Sequence, residues 1–205
     1  MMKVLLINGS PHEKGCTYTA LAEVAGALEK NGIGTDIFHI GKKPVRGCIA
    51  CGACQSNGKC AFNDDPANQM RELMEKADGI VVGSPVYYSG PNGALCALLD
   101  RVFFSAQGKL SFKPAAAVAS ARRGGTTATF DRLNKYFTMN RMPVVSSQYW
   151  NSVHGFTPED VRQDEEGLQS MRTLGYNMAW LLTSIQIGGQ PMPEIEPWMP
   201  THFIR

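Results

Sequence analysis

Residues 3–11 of the chain, KVLLINGSP, decide the fold. The run 3–8 is short and almost entirely apolar, and it ends directly in the turn residues Gly9, Ser10 and Pro11. Such a run is typical of a strand that is buried on both faces of a parallel sheet. Residues 17–30 then predict a helix, because apolar side chains recur there at helical spacing until Asn31-Gly32 stops the pattern.

The same alternation of strand and helix continues along the chain. Further strands are predicted over 35–40, 77–83, 113–119 and 143–147. Further helices are predicted over 64–76, 92–103 and 126–139, and from Thr157 along an apolar face that ends at Ile185. Strands that alternate with helices pair in parallel through right-handed crossovers. We therefore predict one doubly wound α/β domain over residues 1–190, with a five-stranded parallel sheet in the order 2-1-3-4-5. Residues 191–205 contain four prolines and are expected to form an irregular tail.

Composition excludes several classes of protein. The 205 residues are 43% hydrophobic and 19% charged, with a formal net charge of +2. This balance is ordinary for a globular protein, and it is too weakly basic to indicate binding to nucleic acid or to an anionic membrane. No apolar stretch approaches the roughly 18 residues of a membrane-spanning helix, and the first apolar run is a core strand and not a cleavable leader. We therefore expect a cytoplasmic protein.

Three loops are expected at the carboxyl edge of the sheet, where this topology binds its ligand. In the first, residues 9–19, the hydroxyls of Ser10, Thr17 and Thr19 and the start of a helix suit a phosphate group. A helix cap without a ligand is the alternative. The loop has neither the GxxxxGKS/T spacing of a P-loop nor the GxGxxG pattern of a dinucleotide fold.

The second loop, residues 84–93, places two tyrosines side by side. Tyr87 and Tyr88 suit a wall against a flat aromatic ligand, and we expect one of them to pack back on the core and the other to stay free.

The third loop, residues 120–127, combines glycine with positive charge. Gly124-Gly125 allows close approach of the backbone to a ligand, and an arginine at 122 or 123 would stabilise negative charge on a reduced ring. A solvated turn with two surface arginines is the alternative. Each loop alone is a weak signal, but three such loops at one edge predict a ligand site.

Three segments together resemble the superfamily of NADPH-dependent FMN reductases and iron–sulfur flavoproteins. They are LINGSPHEKGCTYTAL (6–21), VVGSPVYYSGPNGALCALLDR (81–101) and ASARRGGTTATF (119–130), and the resemblance extends over about residues 3–187. It implies a flavodoxin-like fold, bound FMN, NAD(P)H as the electron donor, and a homodimer or homotetramer.

The resemblance also implies a set of cofactor contacts. The phosphate and ribityl chain would be held by Ser10, His12, Cys16, Thr17, Tyr18 and Thr19. The isoalloxazine ring would be framed by Ser84, Pro85, Val86, Tyr87, Tyr88, Ser120, Arg122, Arg123, Gly124 and Gly125. Many relatives carry asparagine where Cys16 stands, and only a backbone N–H contact would survive that departure. No side chain is predicted to be a catalytic acid or base, because the flavin carries the chemistry.

Four cysteines form a separate motif after the second strand. Cys48, Cys51, Cys54 and Cys60 have the spacing C-x2-C-x2-C-x5-C, which lets thiolates converge on adjacent corners of a 4Fe–4S cluster. The spacing matches the compact motif of the iron–sulfur flavoproteins in this superfamily. A zinc site, a redox-active dithiol and a loop without metal are the alternatives. Because the loop leaves an edge strand at the carboxyl edge, we expect the cluster to lie near the flavin of a neighbouring subunit.

Two functions follow from these expectations. The first is an enzyme that passes electrons from NAD(P)H through FMN to a quinone, an azo or nitro compound, a free flavin or a cluster. The second is an electron carrier between partner redox proteins without turnover of a small molecule.

Overall fold

Strands and helices alternate along the chain as the apolar runs predict. The computed structural model describes residues 1–197 and 199–201. Its strands are β1 (Lys3–Asn8), β2 (Gly34–His39), β3 (Gly79–Tyr87), β4 (Gly90–Pro91), β5 (Ala115–Ala121) and β6 (Ser152–His154). Its helices are α1 (Cys16–Glu29), α2 (Ala53–Asn57), α3 (Ala67–Lys76), α4 (Gly93–Ala106), α5 (Thr126–Met139), α6 (Pro158–Gln163) and α7 (Glu165–Gly188). None of these helices is both long and apolar enough to cross a bilayer.

Five strands form one parallel sheet in the spatial order β2-β1-β3-β5-β6. β4 lies off this path and pairs with β3 in the antiparallel direction. Without β4, the five parallel strands have the predicted order 2-1-3-4-5. The flavodoxin-like, single-domain fold is therefore confirmed, and its carboxyl edge is the place to look for a ligand site.

Apolar side chains form a separate core on each face of the sheet. Along β1, Leu5 and Ile7 pack with α3, α4 and α5, whereas Val4 and Leu6 pack with α1 and α7. Successive side chains of a strand point to opposite faces, so a strand that is covered on both faces must be apolar throughout. Helices therefore cover both faces, which leaves the edges of the sheet for function.

The last parallel strand lies later in the chain than the sequence predicts. Residues 143–147 were expected to form it, but Val144 makes only an isolated bridge to Ala115. The chain then leaves the sheet and returns at Asn151, whose side-chain amide donates to the Ala117 carbonyl at 3.1 Å. The Asn151 carbonyl accepts from the N–H of Ala119 at 3.0 Å. These two bonds pair backbone groups of β5 between the bridge at Val144 and the start of β6. β6 itself forms at Ser152–His154.

A glycine allows α7 to pack directly on α1. A Cβ atom on Gly175 would lie 2.6 Å from the Cβ of Ala27 and 2.8 Å from the carbonyl oxygen of Val24. Both distances are shorter than any real contact of this kind, so only glycine fits. The long helix therefore braces α1, whose N-terminus lies at the carboxyl edge.

Candidate functional site

β3 continues past the end of β1, so the prediction that this strand ends at Gly83 is wrong. Pairing with β1 stops at Asn8–Gly83, but pairing with β5 continues to Pro85–Ser120. Beyond Gly83 the strand is an edge on its β1 side, which is the position where a sheet tolerates proline. Ser84, Pro85 and Ser120 are therefore fixed by the sheet and do not lie in loops.

The two tyrosines lie at the tip of a hairpin that β3 forms with β4. The turn residues Tyr88 and Ser89 have φ values of +49° and +58°, as a two-residue hairpin turn of the I′ type requires. Residues other than glycine, asparagine and aspartate adopt this conformation at a cost, and such strain is common at functional sites. Tyr87 is 46% exposed and Tyr88 fully exposed. The expectation that one of them packs on the core is wrong, because the hairpin carries both beyond the edge of the sheet.

The first and second loops are joined by backbone contacts. The N–H of Gly9 donates to the Gly83 carbonyl at 2.8 Å, and a Cβ atom on Gly9 would lie 2.5 Å from Leu95. The amide of buried Asn92 donates to the Gly9 carbonyl at 2.7 Å, while its backbone N–H donates to the hydroxyl of Ser84 at 2.9 Å. This contact fixes the start of the first loop against the end of β3.

The third loop is joined to both of the others. The hydroxyls of Thr17 and Ser120 are hydrogen-bonded at 2.8 Å and buried. Gly125 has a φ of +93°, and a Cβ atom there would lie 2.8 Å from Val86 and 2.9 Å from the Cα of Ser89. All three predicted loops therefore form one continuous surface at the carboxyl edge.

Asn8, which the sequence analysis did not select, shapes the first loop from inside. It is fully buried at the end of β1. Its amide donates to the carbonyls of Glu13 and His12 at 2.9 and 3.4 Å, and its Oδ1 accepts from the N–H of Ser10 at 3.1 Å. A polar residue that ends a buried apolar run was the signal that pointed to this role.

The N-terminus of α1 fits an anionic group. Its cap residue is Gly15, no side chain caps the free N–H groups, and the first turn carries no acidic residue. Uncapped N–H groups and the helix dipole favour a phosphate at this position. Ser10 is buried beside the turn, where its hydroxyl accepts from the N–H of His12 at 3.0 Å. The hydroxyl of Thr19 instead donates to the Gly15 carbonyl at 3.2 Å, within its own helix.

Three of the predicted contact residues line two cavities, one of which also includes Gly15 at the N-terminus of α1. Tyr18 lines a groove between α1 and β2. His12 and Cys16 line another cavity of about 440 Å³, together with the exposed aromatic ring of Phe156. The thiol of Cys16 lies 3.8 Å from the Gly155 carbonyl, to which it donates, and burial raises the pKa of this thiol. The loop at 155–157 was missed by the sequence analysis, although an aromatic residue before a Thr-Pro helix start marked it.

Arg122 and Arg123 give the third loop its positive charge. Both side chains are exposed, and neither forms an ion pair or a side-chain hydrogen bond with the described residues. Gly124 is exposed beside them. Two unpaired guanidinium groups at the tip of β5 produce a positive potential near the tyrosine hairpin.

The four cysteines line one cavity on the outer side of α4. Cys48, Cys51, Cys54 and Cys60 share its wall with Phe62 and Phe104, among others. α2, which carries Cys54, lies between two glycines in the left-handed conformation, Gly52 and Gly58. Burial, and then the neighbouring thiols, raise the pKa of Cys54. The loop contacts Arg101 on α4 and Gln107, which caps the C-terminus of that helix, so it runs back along the helix and not across the carboxyl edge.

Two sulfur atoms in this cavity accept hydrogen bonds. The N–H of Ala50 donates to Cys48 Sγ at 3.4 Å, and the Nε of Arg101 donates to Cys60 Sγ at 3.3 Å. Such donors suit sulfur that carries negative charge, as in a metal–thiolate group. In the part of the chain that the structure describes, no three histidine, cysteine, aspartate or glutamate side chains are arranged to hold a single metal ion. Four thiols that line one cavity, with hydrogen-bond donors to two of the sulfurs, are the chemistry of a metal–thiolate group.

Comparison with known proteins finds one family model and several relatives. The model of NADPH-dependent FMN reductases matches residues 2–157. An iron–sulfur flavoprotein of Methanocaldococcus jannaschii is 33% identical over 195 residues, which cover 90% of this chain and 100% of that protein. An iron–sulfur flavoprotein of Methanosarcina thermophila is 28% identical over 189 residues, which cover 90% and 97%.

Solved structures share the fold. RosB, solved with bound 8-demethyl-8-formylriboflavin-5'-phosphate, aligns with a TM-score of 0.73 at 15% identity and covers 100% of this chain and 94% of its own. The apo form of an NADH:FMN oxidoreductase aligns with a TM-score of 0.63 at 18% identity, over 88% of this chain and 89% of its own. At these identities the likeness shows the fold alone.

Proposed function

Because the chain belongs to the NADPH-dependent FMN reductase family, we propose that it binds FMN and passes electrons from NAD(P)H to an acceptor of the quinone, azo, nitro or flavin type. One observation carries the proposal. Three loops are fastened to one another at the carboxyl edge of the sheet, around the uncapped N-terminus of α1. This is where a doubly wound sheet of this order binds FMN.

The chain's own residues bind and orient the cofactor. The N–H groups at the start of α1 would hold the phosphate. The hairpin with Tyr87 and Tyr88 would flank the ring, which supplies hydride and electron transfer when bound. Arg122 and Arg123 would stabilise the negative charge that reduction places on the ring. No acid or base is required of the protein.

The cofactor is expected to be FMN and not FAD. The site offers one phosphate-binding helix N-terminus, and the fold lacks a second mononucleotide half for an adenosine group. Mass analysis of the cofactor released from purified protein tests this expectation, and a dominant FAD peak would contradict it. Steady-state oxidation of NADPH and NADH, each with a panel of acceptors, then tests turnover.

We also propose that the cysteine loop holds a 4Fe–4S cluster. Four thiols line one cavity, hydrogen bonds reach two of the sulfurs, and the relatives above are named iron–sulfur flavoproteins. A cubane offers a separate iron to each of four thiolates, and this loop brings four thiols to one cavity.

The cluster is tested by changing one cysteine at a time to serine. Iron and acid-labile sulfide per FMN should fall sharply in each of the four variants, while FMN stays bound. Cys96→Ser is the matched control, because this thiol lies in α4 and does not line the cavity. Stoichiometric zinc, or four free thiols in protein purified without oxygen, would refute the cluster and leave a flavin-only reductase.

The cysteine loop also supports a second candidate function, that of a carrier between redox proteins. Within one chain the loop contacts α4 at Arg101, nine residues after the capping residue Asn92 at the flavin edge. At 1.5 Å per residue this separation is about 13 Å along the helix. A carrier would exchange electrons with a reduced partner protein and show no steady-state oxidation of NAD(P)H with small acceptors.

We further propose a homodimer or homotetramer in the cytoplasm. Large aromatic side chains are exposed on the surface, including Trp150, Phe156 and Trp180, and exposed apolar surface is typical of subunit contacts. Sedimentation velocity of the purified protein tests the assembly, and a monomer at micromolar concentration would contradict it.

A further inference from the structure

A buried arginine lies directly behind the cysteine cavity. Arg101 is 2% exposed on the outer side of α4, and its guanidinium forms a buried ion pair with Asp65. Its Nε donates to Cys60 Sγ at 3.3 Å. Buried charge is costly unless it is paired and hydrogen-bonded, so a charge at this position requires an explanation beyond packing.

The same guanidinium holds both ends of the cysteine loop. It donates to the carbonyl of Arg46 at 3.2 Å, before the first cysteine, and to that of Phe62 at 3.4 Å, after the last. Asn68 completes the clamp, because its side chain accepts from the N–H of Cys60 and donates to the Cys60 carbonyl, each at 2.9 Å. Cys60 is therefore held at its backbone by one side chain and at its sulfur by another.

We propose that Arg101 is a positioning residue that fixes Cys60 and raises the reduction potential of the group bound by the four cysteines, with Asp65 opposing it. The inference rests on the cluster proposed above. Hydrogen bonds to cluster sulfurs and the local net charge set the potentials of iron–sulfur centres. A cation beside Cys60 stabilises the electron that reduction adds, and the carboxylate of Asp65 partly cancels that effect.

The charges around this pair are few. Arg46 stacks its guanidinium on the ring of Phe62 at 4.2 Å and pairs with Asp64 at the surface. That pair is exposed, so water and salt screen it. Arg101 and Asp65 are nearly inaccessible to solvent, and they therefore act on the cavity with little screening. Their effects on the potential must have opposite signs.

The test uses three variants purified without oxygen. Arg101→Lys keeps the positive charge near Asp65, but a lysine ammonium cannot make all the hydrogen bonds that the guanidinium makes to Cys60 Sγ and to the two carbonyls at the ends of the loop. Asp65→Asn keeps an oxygen for the N–H of Ala67 and removes the negative charge. Arg132→Lys is the matched control, since Arg132 lies on α5, is partly exposed and does not touch the cysteine loop.

The midpoint potential of the cluster is measured for each variant by titration followed by electron paramagnetic resonance. Arg101→Lys keeps the charge but loses the hydrogen bond from Nε to Cys60 Sγ. It should therefore lower the potential enough to change the ratio of reduced to oxidised cluster about tenfold, which is 59 mV for a one-electron couple. Asp65→Asn should raise it, and Arg132→Lys should leave it unchanged. Opposite shifts would show that the hydrogen bond of Arg101 and the charge of Asp65 tune the potential, because loosening of the loop would move both variants in the same direction.

A second readout does not need the cluster. In metal-free protein, amide hydrogen exchange over residues 46–62 should be faster in Arg101→Lys than in Arg132→Lys. Unchanged potentials in cluster-loaded variants, shifts of one sign, or unchanged exchange would overturn the inference and leave the cluster intact. Loss of the cluster from both Arg101→Lys and Asp65→Asn would mean that Arg101 has a purely structural role, and this result would also overturn the inference. Absence of iron and sulfide from the unmodified protein would overturn the cluster and the inference together.

Discussion

Replacing Asn8 by alanine tests whether the first loop is shaped by the protein before any ligand binds. The substitution removes the hydrogen bonds to Glu13 at 2.9 Å, to Ser10 at 3.1 Å and to His12 at 3.4 Å. Two of these have good geometry, and the bond to Ser10 is buried, whereas the carbonyls of His12 and Glu13 belong to exposed residues. A hydrogen bond contributes about 1 kcal/mol, and an unsatisfied buried partner costs about 1–3 kcal/mol. We therefore expect a loss of about 2–4 kcal/mol in the free energy of unfolding.

The same change should weaken FMN binding. Once released, residues 9–15 must be ordered again when the phosphate binds, and this ordering reduces affinity. We expect a ten- to hundredfold increase in the Kd for FMN, about 1.4–2.8 kcal/mol. Titration of the apoprotein, followed by quenching of flavin fluorescence, measures the Kd, and urea unfolding measures stability. Asn31→Ala is the matched control, because Asn31 makes one bond, to Ala27 at 2.8 Å, at the opposite end of α1. Equal FMN affinity in the two variants would refute the role of Asn8.

Three further changes test other parts of the edge. Alanine at both Arg122 and Arg123 should lower the midpoint potential of bound flavin, because two unpaired cations are lost. An unchanged or raised potential in spectroelectrochemistry would mean that the two arginine side chains face solvent and do not act on the flavin. Gly125→Ala should lower the free energy of unfolding in urea by about 1–3 kcal/mol, because φ is +93° and the new Cβ would lie 2.8 Å from Val86. Unchanged stability would show that the β3–β4 hairpin moves to accommodate the methyl group. Backbone N–H groups of Thr157 and Phe156 lower the pKa of Asp160 below its ordinary 3.8, so this carboxylate stabilises the fold above pH 3.8, and the gain is lost as the pH falls through its folded-state pKa. Asp160→Asn should therefore lower the Tm more at pH 7 than at pH 3, and an equal loss at both would contradict the assignment.

Periodicity of apolar residues was sufficient to predict most of the fold. A strand covered on both faces has an unmistakable composition, and the run 3–8 appears as β1 without change. The fifth parallel strand was misplaced because residues 143–147 also have strand character. They do reach β5, through two backbone hydrogen bonds at Ala115, but the side chain of Asn151 occupies the Ala117 carbonyl farther along that strand, and no local pattern records such a contact.

The candidate site was predictable where function depends on residue type and order along the chain. The glycines and hydroxyls of the three loops could be read in this way, since a parallel sheet brings its carboxyl ends together. Asn8 and Arg101 could not, because their importance comes from hydrogen bonds to carbonyls and a sulfur in other segments. An asparagine or an arginine within an apolar run is a hint, but its partners appear only in three dimensions.

The clamp on the cysteine loop has a consequence for the order in which the protein is made. In small zinc domains the binding of metal supplies the free energy of folding, so the metal-free chain is unfolded. Here both ends of the loop are fastened to α3 and α4 by Asn68 and Arg101, through hydrogen bonds between parts of the polypeptide itself. If the loop holds the proposed cluster, the α/β scaffold can form first and the cluster can be inserted afterwards.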